Sequence, residues 1–320
     1  MASKRPDRRW APAMALPWAV WALVRGTGTD RGFPLVPALA FTPHAALTTV
    51  VPLAAAIRSG SRTGALLASG AGAVLGAAVL ASRGRTGPVP AGGTKVRIAT
   101  VSLRLGLVPA GSVLELVRRH AVDVLAVQEL TPDAERRLTD AGLHRELPHS
   151  HVVPARPGSV VSASGAVWSR WPVTARGAAP GGFEQPTARL PTVGSPDLEV
   201  TAVHTRPPAT SPAAVRGWTA DLAALPSPAP DALRVLAGDF NATLHHAALR
   251  AVLARGYVDA ARELGRGWAW TWRPLRLRFP RLTLDHVLVD PRAAVAGCAH
   301  VPVAGSDHRA LVVDLVLPAH

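Results

Sequence analysis

The chain has 320 residues, 48% of them hydrophobic, and carries 35 Lys and Arg against 21 Asp and Glu, a formal net charge of +14. That length holds one large domain with an appendage, and Cys298, the only cysteine, excludes a disulfide scaffold or a thiolate metal cluster. The charge is uneven: residues 1–95 hold eleven of the basic residues but only Asp7 and Asp30 as acids, a surplus of nine that leaves five for the rest of the chain. The basic excess therefore flanks apolar segments more than it marks a nucleic-acid-binding stripe.

In chain order, the first features are apolar stretches at residues 10–24, 33–57 and 64–81. A membrane span needs roughly 17–25 apolar residues. The second and third stretches meet that length, while the first is short and contains Pro12 and Pro17, with Trp10, Trp18 and Trp21 suited to a membrane interface. The expectation is a membrane region over residues 1–82 with two or three transmembrane helices. A cleavable signal peptide and the buried helices of a soluble domain are the competing readings, and the further apolar segments weigh against the first. Lys4, Arg5, Arg8, Arg9, Arg58 and Arg62 on one side against Arg25, Arg31, Arg83 and Arg85 on the other place the N-terminus in the cytoplasm. Three spans would then make this a multi-pass cell-membrane protein with its C-terminal domain extracytoplasmic.

Residues 83–94, rich in Gly and Pro, read as a linker, and a domain over residues 95–320 follows. Alternating or continuous apolar runs predict strands at 96–102, 122–130, 164–169, 186–193, 198–205, 233–238, 282–290 and 310–317. Between them, 3.6-residue spacing predicts helices at 113–120, 132–142 and 213–225, the second closed by Gly142. This is an α/β sheet pattern. Trp268, Trp270 and Trp272 alternate as in a strand with one packed face, and an aromatic platform for a base or lipid is the second reading. His245 and His246 read as solvated.

Three short motifs fall at the ends of these strands. Gly238-Asp239-Phe240-Asn241 closes one buried run, Asp285-His286 lies in an alternating run, and Ser306-Asp307-His308 follows a turn at Gly305. A carboxylate can polarise water and take its proton, an amide can donate to a phosphoryl oxygen without adding charge, and an imidazole held by a carboxylate keeps a defined tautomer. An Asx turn at Asp239 and Asn241 is the structural alternative. For His286, the period of two places it on the side opposite Asp285, in a structural role.

Taken with Gln128-Glu129 at the end of the second strand, a Trp168-Ser169-Arg170-Trp171-Pro172 element and His204-Thr205-Arg206, this ordered set resembles the endonuclease/exonuclease/phosphatase family over residues 95–318. The resemblance implies a four-layer α/β sandwich, two packed mixed β-sheets flanked by helices. It implies a Mg²⁺ or Mn²⁺ cofactor held by Glu129 and Asp307, catalysis by Asp239, His308, Asp285 and His204, and substrate phosphate contacts from Asn241 and His204, with Arg206 a further phosphate contact. One departure stands out: Ser102 occupies the place where the family ends its first strand with a metal-supporting asparagine. The implied function is a membrane-tethered, divalent-metal-dependent phosphoesterase, a phosphodiester hydrolase of nuclease or phospholipase-like type. The alternative, motivated by Ser102 and the tryptophans, is a catalytically impaired, membrane-anchored module that binds a phosphate ligand. No protein partner is implied.

Overall fold

The computed structural model describes residues 10–86 and 92–319, so the basic residues before Trp10 and the centre of the linker lie outside the described residues. The chain forms two compact units: residues up to Arg83 together with Leu244–Ala247, and Gly84–Thr243 together with Ala248–His320.

The first unit is helical: α1 (Trp10–Thr27), α2 (Leu35–Leu39), α3 (Thr42–Thr48), α4 (Val50–Ser59) and α5 (Arg62–Arg83). Among the described residues, α5 alone is long and apolar enough to cross a membrane, with 22 residues and a mean hydropathy of 1.9. The expected two or three spans are therefore not supported. The reason is proline, which lacks a donor N–H and clashes with the carbonyl four residues earlier. Pro34, Pro37, Pro43 and Pro52 fall inside residues 33–57, and that run is divided into three short helices. Pro17 lies inside α1. Small residues let these helices approach closely: a Cβ on Gly64 would meet Ala11 and Ala56 at 3.1 Å. His245 and His246, expected in solvent, are buried, and His246 Nε2 lies 2.9 Å from the Val36 carbonyl oxygen.

The second unit contains twelve described strands: β1 (Thr94–Ser102), β2 (Val124–Leu130), β3 (His149–Val153), β4 (Ser164–Ser169), β5 (Ala175–Ala179), β6 (Gln185–Leu190), β7 (Leu198–His204), β8 (Leu233–Asp239), β9 (Val258–Asp259), β10 (Asp285–Val289), β11 (Ala294–Pro302) and β12 (Arg309–Leu317). They form two six-stranded sheets, ordered β11-β12-β1-β2-β4-β3 and β5-β6-β7-β8-β10-β9. Each is mixed, because β1 pairs parallel with β2 and β7 parallel with β8 while the other pairings are antiparallel. Parallel neighbours need a crossover, supplied by α6 (Ala110–Arg119) and α9 (Pro212–Ala224). The remaining helices are α7 (Pro132–Asp140), α8 (Leu143–Glu146), α10 (Ala247–Leu253) and α11 (Ala260–Glu263).

The sheets bury their facing sides against each other, with Ile98, Val124 and Val313 from one meeting Val200, Val235 and Val287 from the other in a single apolar core. The opposite side of the first sheet packs under α6, α7 and α8 through Val113, Leu116, Leu138 and Leu143. The helices begin where the sequence provides caps, Thr131 Oγ1 accepting from Ala134 N–H for α7 and Ser211 Oγ from Ala214 N–H for α9. Residues 268–272 do not form the expected strand. Trp272 alone makes isolated bridges, to Leu282 and His308, and β10 starts at Asp285 rather than at Leu282.

Candidate active site

The two parallel pairs deliver the polar motifs to one edge of the sandwich. The β1–β2 pairing ends with Ser102 opposite Gln128, and β7 and β8 end with His204 opposite Asp239. Antiparallel β10 begins with Asp285 opposite that same Asp239, and His308 immediately precedes β12, which runs antiparallel to β1. Gly238 is required here, because a Cβ at this position would overlap the Val203 carbonyl oxygen on the neighbouring strand. Glu129 sits where the β2–β4 register shifts between Val127 and Leu130, with a φ of 56° that a non-glycine residue rarely adopts. Asn241 shares that strain at a φ of 45°.

Distances define a connected cluster. His308 Nδ1 is 2.8 Å from Asp285 Oδ2, and its Nε2 is 4.0 Å from Asp239 Oδ2. Asn241 donates its backbone N–H to Asp239 Oδ1 at 2.8 Å and its amide to the Thr205 carbonyl at 2.9 Å. His204 Nε2 lies 4.0 Å from Glu129 Oε1, and the other Glu129 oxygen accepts the Leu105 backbone N–H. Asp307 Oδ2 accepts the Trp272 indole N–H at 3.2 Å. Of the expected residues, Asp285 with His308 and Asp239 with Asn241 form two hydrogen-bonded pairs that approach to 4.0 Å between His308 Nε2 and Asp239 Oδ2, and His204 stands 4.0 Å from Glu129.

Burial and charge set the protonation states. Burial on its own pulls His308 down, but the adjacent Asp285, Asp239 and Asp307 prevail and push it up to about 10, so its ring is an imidazolium at neutral pH. Burial pushes Asp239 above the usual carboxylate range, aided by Asp285 and opposed by His308. Glu129 is raised mainly by burial, partly offset by the Leu105 N–H. His204 is held neutral, lowered to about 3 by burial and then by the charge of His308. The Nδ1 of His204 and the Oγ of Ser102 are buried without a hydrogen-bond partner. Orphaned buried polar atoms of this kind cost free energy unless a water, an ion or a ligand supplies the missing bond.

A family model described as Endonuclease/Exonuclease/phosphatase matches residues 102–308. The chain belongs to this family. Solved structures share the fold at low identity. A humanised D. rerio TDP2 with 14 mutations is 15% identical over 69% of this chain and 98% of its own, with a TM-score of 0.55. D. rerio TDP2 with a single-strand DNA product is 14% identical over 69% and 99%, with a TM-score of 0.54. A family protein from Leptotrichia buccalis is 14% identical over the same shares, with a TM-score of 0.52. No curated protein matches the chain in a sequence comparison. As a member of the endonuclease/exonuclease/phosphatase family, the chain is a hydrolase acting on phosphate esters.

Hydrolases of this family generally depend on a divalent cation. Among the described residues no group of three or more His, Cys, Asp or Glu converges as a metal cage. Mg²⁺ seldom uses one, taking one or two carboxylates and completing its shell with water and substrate phosphate. The donor set here suits that habit: Glu129 and Asp307 are hard oxygen donors near enough to repel each other electrostatically, and Ser102 Oγ is an unpartnered oxygen at the end of the adjoining strand.

Four residues have supporting roles that the sequence did not reveal. Ser306 Oγ accepts the His308 backbone N–H at 3.0 Å and donates to the Ser102 carbonyl at 2.9 Å, fixing the turn that presents the imidazole. Thr271 Oγ1 accepts the N–H groups of Leu284 and Asp285 at 2.9 and 3.0 Å. Gln128 ties the sheets together, accepting from Thr100 Oγ1 at 3.0 Å while its amide lies 3.5 Å from the Ala237 carbonyl. Trp272 holds Asp307. Ser306 and Gln128 lay inside motifs and Trp272 in the tryptophan alternation, and only Thr271 had no sequence signal. Arg206, expected at the phosphate, instead gives its Nε and Nη2 to Asp221 at 3.0 and 2.7 Å, joining the strand end at β7 to α9.

Proposed function

We propose that the protein is a divalent-metal-dependent phosphodiester hydrolase whose reaction centre is built from Asp239, Asn241, Asp285, His308, His204, Glu129 and Asp307. The observation that carries this reading is His308 held by Asp285 at 2.8 Å with its other nitrogen 4.0 Å from Asp239, at the strand edge where Asn241 and Glu129 also end. Asp285 fixes the ring so that Nε2–H points toward the space beside Asp239. A water seated between them loses its proton to Asp239, whose raised basicity suits the task, while the cationic ring stabilises charge on the phosphoryl oxygens. Neutral His204 donates to those oxygens without adding charge, and the Asn241 amide does so with the N–H that it otherwise gives to Asp239 Oδ2 at 3.3 Å. Mg²⁺ or Mn²⁺ held by Glu129 and Asp307 would supply Lewis-acid stabilisation of the phosphoryl and leaving oxygens. The TDP2 structure containing a single-strand DNA product favours a nucleic acid ester over a lipid headgroup as the substrate class. The full chain is expected to hydrolyse bis-4-nitrophenyl phosphate with Mg²⁺ and to lose that activity in EDTA; turnover independent of metal would contradict the reading.

A second reading concerns location. The length and hydropathy of α5, with only 22% of its apolar window buried, support a single membrane anchor that tethers the hydrolase. Carbonate-resistant retention of the expressed chain in a membrane pellet is the expected result, and recovery in the soluble fraction would remove the anchor.

A further inference from the structure

A cavity of about 350 Å³ adjoins the proposed reaction centre and shares Asp307 and His308 with it. Its wall also carries four arginines, Arg273, Arg278, Arg281 and Arg309, with Trp270 and the apolar Leu275, Pro302 and Val303. Three guanidinium carbons stand near that one indole ring, Arg309 at 3.6 Å, Arg281 at 5.2 Å and Arg273 at 5.8 Å from its centroid. The ring accounts for part of their placement through cation–π attraction. It does not neutralise them. Among the described residues none of the four arginines forms an ion pair, and Arg309 Nε is buried with no hydrogen-bond partner.

Other arginines of this unit are consumed by carboxylates, Arg206 by Asp221, Arg234 by Glu199 and Arg292 by Asp290. The contrast is chemical: planar guanidinium forks held together without a counter-charge repel one another, and a multiply charged oxyanion is the ligand that relieves them. The one carboxylate on the cavity wall, Asp307, faces the Trp272 indole and belongs to the proposed metal pair.

We propose that this cavity binds a second phosphate group of the substrate, beside the one being hydrolysed, so that the preferred esters carry two phosphates on one molecule. The inference rests on the hydrolase reading and specifies its substrate. A neighbouring backbone phosphate of a nucleotide and a second phosphate on a phosphorylated polyol present the same chemistry to these arginines.

The test uses the full chain with Mg²⁺ and compares kcat/KM for thymidine 5′-(4-nitrophenyl phosphate) with that for the same ester bearing a 3′-phosphate. A preference of about tenfold or more for the second compound is expected, the scale of one charge-assisted hydrogen bond. That ratio should fall toward one in Arg278→Gln/Arg281→Gln. No preference in the wild type, or an unchanged ratio in the variant, overturns the proposal. A parallel pair of glycerol-based 4-nitrophenyl phosphates, with and without a second phosphate, separates the sources: preference in the nucleotide pair alone assigns a nucleotide, and preference in both assigns the phosphate itself. Calorimetric titration with inorganic pyrophosphate in EDTA reads the cavity without turnover. Binding that weakens about tenfold in the double variant while no ester is hydrolysed would sink the hydrolase reading and spare the cavity; equal binding in both proteins would overturn the cavity alone.

Discussion

Asp285 and His286 are neighbours on β10 and face opposite sides of its sheet, and each belongs to a buried imidazole–carboxylate pair. On one side His308 Nδ1 meets Asp285 at 2.8 Å; on the other His286 Nδ1 meets Asp259 at 2.7 Å. The difference lies in the second ring nitrogen. His286 Nε2 is closed by the Ala242 carbonyl at 2.9 Å, so the ring has no hydrogen-bonding capacity left. Among the described residues His308 Nε2 makes no hydrogen bond, and the Asp239 carboxylate stands 4.0 Å away, a spacing that a water or a phosphoryl oxygen bridges. A buried histidine–aspartate pair is therefore not by itself a mark of catalysis. The open nitrogen distinguishes the two.

That contrast can be broken by exchanging the two histidines' fates. His308→Gln is expected to lower kcat/KM for a phosphodiester by about 10³-fold per folded molecule, on the scale of a lost general acid–base or clamping group, and also to lower the denaturation midpoint, because buried Asp285 loses its charged partner. A similar loss in His286→Gln would erase the distinction. His286→Ala should instead destabilise the fold by about 3 kcal/mol, because Asp259 is left buried without its partner. Urea denaturation checks this, and activity per folded molecule should stay within about twofold of the wild type.

The pH dependence sharpens the same comparison. Burial opposes charging of His286, but its hydrogen bond to Asp259 and the charge of that carboxylate raise its pKa above the ordinary 6.5. The folded state then holds the proton more tightly than the unfolded chain, so the pair's contribution is fully present below about pH 6.5 and is lost as pH rises through the folded value. The stability gap between wild type and His286→Ala should therefore narrow on raising the pH. A constant or widening gap would contradict the assignment. The smallest effect is expected at Ser102, whose hydroxyl is buried and unpartnered. Ser102→Asn restores the family's carboxamide and should strengthen apparent Mg²⁺ affinity by a few-fold, about 1 kcal/mol for one added hydrogen bond; unchanged affinity would remove Ser102 from the metal environment. A rise in turnover of several orders would instead support the impaired-module reading.

Much of this was legible in the sequence because its strands are clean. Residues 233–237 form an apolar run interrupted only by Arg234 and closed by Gly-Asp, and the structure places β8 there with Asp239 at its tip. The opposite placement of Asp285 and His286 followed from the period of two alone. Other elements hid for physical reasons. β11 carries Gly297 at a register shift after Val295, which breaks the alternation that would reveal a strand. The apolar run at residues 33–57 passes a count of hydrophobicity, but its prolines divide it. Trp268, Trp270 and Trp272 alternate without a strand because the ring at position 270 is ordered by arginines brought from residues 273, 281 and 309. Thr271 and Gln128 act across chain separations that no local pattern records.

Catalysis as proposed requires Asp239 to stand within reach of the open His308 nitrogen. Mg²⁺-dependent hydrolysis of bis-4-nitrophenyl phosphate by the full-length Asp239→Asn variant tests it most directly, with circular dichroism confirming the fold. The prediction is a fall in kcat of about 10²-fold or more with KM little changed. Turnover equal to that of the wild type would show that the reaction is carried out elsewhere.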